Sequence, residues 1–248
     1  MKLGVSSLSV YKEHISENLE FIEGLNIDYF EILNDYPNNI IDTELLKSYN
    51  LKYVVHSPII DLNLASLNHS IQKTSIAEVM KSINIANELD SEIVVVHPGN
   101  IPFLSRPFQE KALVKSRESL KICGDYGKDL GITIAVENMP KIEGFLYTDI
   151  IKLNQLLTDL DMFMTLDIGH AATAGFLENE VYFDSIKHIH LSDNFHDYDT
   201  HLALGEGDID FKTTINTFED NNYDGIYTIE VNDKDSVIKS IEYLKKHL

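Results

Sequence analysis

Short apolar runs recur along the chain, separated by longer polar or amphipathic stretches. LGVSSL (3–8), IDYFEIL (27–33), LKYVVH (51–56), EIVVVH (92–97), ITIAVE (132–137), FMTLD (163–167), HIHLS (188–192) and IYTIEV (226–231) each read as a strand. The run IVVV (93–96) is mostly β-branched and lacks polar alternation, which marks a strand buried on both faces. Helical spacing fills the gaps. Ile76, Val79, Met80, Ile83, Ala86 and Leu89 share one face of a helix predicted over 70–89. Leu113, Ser116, Leu120, Cys123, Gly127 and Leu130 do the same over 107–130. Alternating strands and helices build parallel βαβ units joined right-handedly, and eight such units close a (β/α)8 barrel.

No linker, low-complexity tract or composition break divides the chain. Its 248 residues are therefore expected to form one α/β domain over 1–248, a length that barrels of this kind use as a single unit. No apolar run approaches the roughly 18 residues of a membrane span, and the N-terminus MKLGVSSLSVYKEH is too short and polar for a secretory leader. A cytoplasmic protein without a membrane partner is the expectation. The single cysteine, Cys123, excludes an intramolecular disulfide and a cysteine zinc cluster, and is placed on the buried face of its helix.

The net charge of −20, with Arg106 and Arg117 the only arginines, leaves little from which to build a phosphate-binding face. It weighs against a nucleic-acid partner without forbidding one. Acid-rich clefts also attract divalent cations, although much of the excess is accounted for by a solvated acidic surface.

In a (β/α)8 barrel the C-terminal strand ends converge on one mouth, where the active site lies. Six successive strands, the third to the eighth, end there in His56, His97, Glu137, Asp167, His190 and Glu230. Any one of these alone is more simply a hydrogen-bonded structural residue. Six together would bury several unpaired charges unless a cation neutralised them, and the mixture of carboxylate and imidazole suits Zn²⁺ or Mn²⁺. In TLDIGHA, Gly169 can turn the chain so that His170 swings back to the mouth. Asp199 and His201, two apart, share a side if their loop is extended. Of His188 and His190, only one is expected to face the barrel interior, and His190 is assigned that place. Glu31 is a weaker candidate, as structural as functional. His196 and Asp197 read as solvated turn residues, and His14, His69 and His247 have no second ligand near them.

The ordered set HSP (56–58), HPG (97–99), ENMP (137–140), DIGHA (167–171), HIHLSDN (188–194), D-x-H (199–201), LGEGDID (204–210) and IEV (229–231) resembles the xylose isomerase-like barrel superfamily. That superfamily joins sugar-phosphate isomerases and epimerases to apurinic (AP) endonucleases of the endonuclease IV type. In the first branch, the resemblance implies one divalent metal on Glu137, Asp167, His190 and Glu230. There Glu137 and Glu230 move a proton through an enediolate that the metal stabilises. In the second branch it implies three zinc ions. One is on His56, His97 and a shared Glu137, one on Glu137, Asp167, His190 and Glu230, and one on His170, Asp199 and His201, together cleaving a phosphodiester.

All nine positions are filled, so one to three ions are compatible with the sequence. Charge, scarce arginine and short units stand against a nuclease. The lack of an arginine after His190, where many relatives hold the sugar with one, stands against a typical epimerase. The phrases ENMP, DIGHA and LGEGDID favour the isomerase/epimerase branch acting on a small carbohydrate. The zinc AP endonuclease is the alternative, and a non-catalytic metal- or ligand-binding barrel is the third reading.

Overall fold

A computed structural model describes residues 1–247 of the chain. Eight parallel strands close a barrel in sequence order: β1 (Lys2–Ser6), β2 (Tyr29–Leu33), β3 (Lys52–His56), β4 (Ile93–Val96), β5 (Thr133–Glu137), β6 (Phe163–Asp167), β7 (Ile186–Leu191) and β8 (Ile226–Ile229), with β8 paired back to β1. Eight helices alternate with them: α1 (Leu19–Gly24), α2 (Thr43–Lys47), α3 (His69–Glu88), α4 (Gln109–Asp129), α5 (Ile150–Leu160), α6 (Ile168–Ala174), α7 (Phe211–Asp220) and α8 (Lys234–His247). The fold is the expected (β/α)8 barrel. Among the described residues, no helix is long and apolar enough to cross a membrane.

Strand parity decides what each side chain meets. Val94 and Val96 of β4 point outward into the main core between sheet and helices. Ile93 and Val95 point inward, into a smaller cluster with Val54, Ala135 and Ile226. His97, two residues after Val95, therefore continues the inward row, as His56 does after Val54, Glu137 after Ala135, and Glu230 two beyond Thr228 and four beyond Ile226. The outer core supplies the bulk of the stability. Residues such as Ile83, Phe211 and Phe218, none of them exposed, contribute about 2 to 3 kcal/mol each by leaving water.

The long helices fall where their apolar spacing predicts them, but their buried stripes are partly polar. In α3 the buried face carries Gln72, Ser75 and Ser82 alongside Val79, Ile83 and Ala86, and in α4 it carries Ser116 and Ser119 beside Ala112, Leu120, Cys123 and Gly127. These hydroxyls secure loops at the mouth. Ser116 donates to the Pro98 carbonyl at 2.7 Å, Ser119 donates to the Leu64 carbonyl at 2.8 Å, and Ser75 accepts from the Asn63 N–H at 2.9 Å. Asn63 Oδ1 in turn accepts from the Asn100 N–H at 3.0 Å. Gly99 sits at φ +100°, and a Cβ there would come within 2.7 Å of the Ala65 nitrogen. Only glycine lets the chain after His97 turn so close to its neighbour.

Candidate metal centre

The inward row from β3 to β8 brings the six strand-end residues together. Glu137, Asp167, His190 and Glu230 are all buried and form one four-residue group. His56 and His97 join Glu137 in a second, and His170, Asp199 and His201 form a third, with the candidate ligand atoms of each group mutually within 4.8 Å. Glu137 belongs to two groups through different oxygens. Its Oε2 lies 3.1 Å from Nε2 of both His56 and His97, whereas its Oε1 lies 3.3 Å from His170 Nδ1 and 3.5 Å from His190 Nδ1.

Backbone carbonyls set the histidine tautomers. The Nδ1–H of His56 donates to the Ser57 carbonyl at 2.7 Å, that of His170 to the Asn138 carbonyl at 2.7 Å, and that of His201 to the Glu230 carbonyl at 2.8 Å. Each hydrogen bond turns Nε2 toward carboxylate oxygens: His56 to Glu137, His170 and His201 both to Asp199 Oδ2 at 3.0 Å. A histidine anchored at one nitrogen and aimed by the other is the arrangement metal ligands use.

The central group fits a cation by a further test. His190 Nδ1 lies 3.0 Å from Glu230 Oε2, 3.5 Å from Glu137 Oε1 and 3.9 Å from Asp167 Oδ2. Yet neither His190 Nδ1 nor Asp167 Oδ2 makes a hydrogen bond. Buried polar atoms that crowd together without bonding one another carry a desolvation cost that a shared divalent ion would remove.

Without an ion, the electrostatics are strained. Burial, together with Asp199 and Glu137, pushes the Asp167 carboxyl up to about 6, although His170 and His190 oppose it. Burial disfavours the His170 cation, but Asp167, Asp199 and Glu137 outweigh it and raise the ring to about 10. For His201 the same contest, won by Asp199 with help from Glu230 and Asp167, ends at about 9. Burial likewise disfavours the His190 cation, and Glu230, Glu31 and Glu137 carry it well above the ordinary imidazole value.

Two expectations about local geometry are corrected. His170 does not swing back through a glycine turn. Asp167 caps α6, its Oδ1 accepting the His170 N–H at 2.6 Å, and His170 faces the mouth from that helix's first turn. Gly169 is needed for space instead, because a Cβ would press on Ser192 Oγ at 2.5 Å. His188 also faces the barrel interior, in addition to His190. Residues two apart on a strand share a face, and both rings lie against the buried Glu31, the second through its Nε2 at 3.2 Å. Glu31 and His188 thus make a polar floor under the mouth that sequence reasoning undervalued, although the period of two carried the signal.

The D-x-H pair does share a side, but His201 reaches it from left-handed backbone at φ +47° instead of an extended loop. His196 and Asp197 are exposed, as are His14, His69 and His247. Asp193, given no role from the sequence, is buried and organises the loop that carries Asp199 and His201. Its Oδ2 accepts from the Gly205 and Gly207 N–H groups at 2.8 and 2.9 Å, and its Oδ1 from those of Asn194 and Ile209 at 2.9 and 3.2 Å.

Comparison with known proteins follows the same lines. An uncharacterized protein of Methanocaldococcus jannaschii is 37% identical over 262 residues, spanning 100% of this chain and 89% of the relative. A second from that organism is 36% identical over 219 residues, spanning 85% of each. A crystal structure of a D-tagatose 3-epimerase-like protein superposes with a TM-score of 0.90 at 36% identity, covering 100% of this chain and 97% of the other. A D-psicose 3-epimerase crystallised in the presence of D-fructose shares the fold, with a TM-score of 0.80 at 16% identity over 93% of this chain and 85% of its own. Residues 19–247 match the family described as xylose isomerase-like TIM barrel. With the closed barrel, that match over nearly the whole length means that the chain belongs to the xylose isomerase-like TIM barrel family.

Proposed function

We propose that this protein is a divalent-metal-dependent sugar or sugar-phosphate isomerase or epimerase, with Glu137 and Glu230 as its proton-transfer groups. One observation carries the reading. Two buried carboxylates flank a single histidine nitrogen, with Glu137 Oε1 at 3.5 Å and Glu230 Oε2 at 3.0 Å from His190 Nδ1. The 36% identity to a D-tagatose 3-epimerase-like protein supports the same class of small carbohydrate substrate.

Glu137, Asp167, His190 and Glu230 would hold the ion, Zn²⁺ or Mn²⁺ by the chemistry of the donors. A divalent ion there would supply Lewis acidity toward a substrate carbonyl and its neighbouring hydroxyl, and so acidify the C–H on the hydroxyl-bearing carbon. One carboxylate takes that proton while the electron pair moves into the neighbouring carbonyl. The other carboxylate returns a proton to the opposite face, which inverts the carbon; return to the former carbonyl carbon, with the hydroxyl proton passing to the former carbonyl oxygen, isomerises the sugar. Ser6 donates to Glu230 Oε1 at 3.1 Å and leaves Oε2 toward the centre. Glu137 is held more firmly, by His56 and His97 at Oε2.

A second reading rests on the three ligand groups joined at Glu137. A trinuclear centre of this composition would suit hydrolysis of a phosphodiester. The charge of −20 opposes a nucleic-acid substrate, and both arginines are engaged in ion pairs, Arg106 with Glu143 and Arg117 with Asp159. Incubation of Mn²⁺- or Zn²⁺-loaded protein with a panel of ketoses and ketose phosphates in D₂O separates the two. Deuterium next to the carbonyl is the expected result. No incorporation across the panel, together with nicking of an abasic duplex, sinks the isomerase reading in favour of the nuclease.

A further inference from the structure

We infer that Glu31, on β2 and outside the ligand groups proposed above, is a positioning residue that fixes His190 as an Nδ1 metal ligand. The inference rests on the metal-centre reading. Glu31 comes from the middle of β2 and is wholly buried, as are His188 and His190. Its Oε2 accepts from the Nε2–H of His190 at 3.2 Å and from the Nε2–H of His188 at still closer range, and its Oε1 stands 3.0 Å from His190 Nε2. His190 can therefore present only Nδ1 to Glu137, Asp167 and Glu230. The other three anchored histidines use the reverse arrangement, giving Nδ1–H to a backbone carbonyl and presenting Nε2.

The reason for the exception lies in the barrel. His190 stands within β7 with its ring pointing inward, where strand carbonyls are committed to the ladder. Its second nitrogen needs an acceptor from the barrel interior, and Glu31 supplies one. A carboxylate behind a ligating imidazole orients the ring and raises its basicity, and loss of such a partner weakens metal binding by roughly 10- to 100-fold. His188 has a matching place. With Glu31 accepting from both rings, the buried carboxylate is not left with a single partner, and the two rings meet edge to face at 5.0 Å between centroids. Gly4 on β1 keeps this floor open, because a Cβ there would approach Thr228 Oγ1 at 2.9 Å and Tyr29 Cβ at 3.1 Å.

The test uses the full chain with Zn²⁺ as the probe. In wild-type protein labelled with ¹⁵N-histidine and loaded with Zn²⁺, the His190 signal is expected to show a metal-bound Nδ1 and a protonated Nε2. In Glu31→Gln, Zn²⁺ affinity measured by chelator competition on the folded variant is expected to fall roughly 10- to 100-fold, with partial recovery in Glu31→Asp. A His190 bound through Nε2, or a folded Glu31→Gln protein with unchanged affinity, overturns the role of Glu31 while leaving the metal centre standing. Wild-type protein that takes up no Zn²⁺ overturns both. Because the tautomer is read in the wild type, a variant that fails to fold does not remove the test.

Discussion

Nδ1 of His190 lies 3.0 Å from Oε2 of Glu230, and the two atoms make no hydrogen bond. This close, unbonded approach within a buried group is where the metal reading is most exposed to experiment. Protein purified without chelator should contain at least one Zn²⁺ or Mn²⁺ per chain by inductively coupled plasma analysis, and chelation should lower its melting temperature. Restoring the ion to about 100 times its dissociation constant is expected to return roughly 2.7 kcal/mol of stability. Well-folded protein that neither contains nor takes up metal would refute the site.

The unequal tethering of Glu137 and Glu230 predicts a separable phenotype. Glu230→Gln keeps the shape of the side chain and a ligating oxygen but cannot take a proton. Solvent deuterium exchange into the ketose should fall roughly 10²- to 10⁴-fold, with metal still bound. Undiminished exchange would remove Glu230 from the mechanism.

The histidines of the third group predict how stability changes with pH. His170, facing Asp167, Glu137 and Asp199, is raised to about 10 in the metal-free protein, and His201, facing Asp199, Glu230 and Asp167, to about 9. Unfolded histidine titrates near about 6.5. Between those values the folded chain holds more protons than the unfolded chain, so stability falls as pH rises through the window. Metal competes with the same protons. The melting temperature of chelated protein should therefore drop from pH 6.5 to 9, while the increment gained on adding Zn²⁺ grows. A metal-induced increment that shrinks over this range would contradict the assignment of His170 and His201 as ligands.

Asp193 offers a test away from the ions. Four backbone N–H groups converge on its buried carboxylate, so Asp193→Ala leaves those donors unsatisfied and should cost roughly 3 kcal/mol in urea unfolding. The loop from Phe195 to His201 should also become sensitive to proteolysis, because Asp193 further pairs with Leu202 through two backbone hydrogen bonds at 2.9 and 3.0 Å. A variant as stable and as resistant as the wild type would show that the loop is held by other contacts.

The sequence alone determined the eight-unit barrel and the identity of the mouth residues. Apolar runs ending in His56, His97, Glu137, Asp167, His190 and Glu230 report burial and chain direction, and both are local properties. Only the tertiary structure decided which of these residues stand close enough to share an ion and which atom each presents. Glu31 meets His188 and His190 across 157 and 159 residues of sequence, a contact that exists because the barrel closes and turns distant strands inward at one level. The same closure brings the Asn138 and Glu230 carbonyls against His170 and His201 and so selects their tautomers, whereas His56 takes its own from the adjoining Ser57 carbonyl. Periodicity fixes which face a side chain takes, whereas the depth at which it stands and the partner opposite it follow from the register of strands that are neighbours only in space.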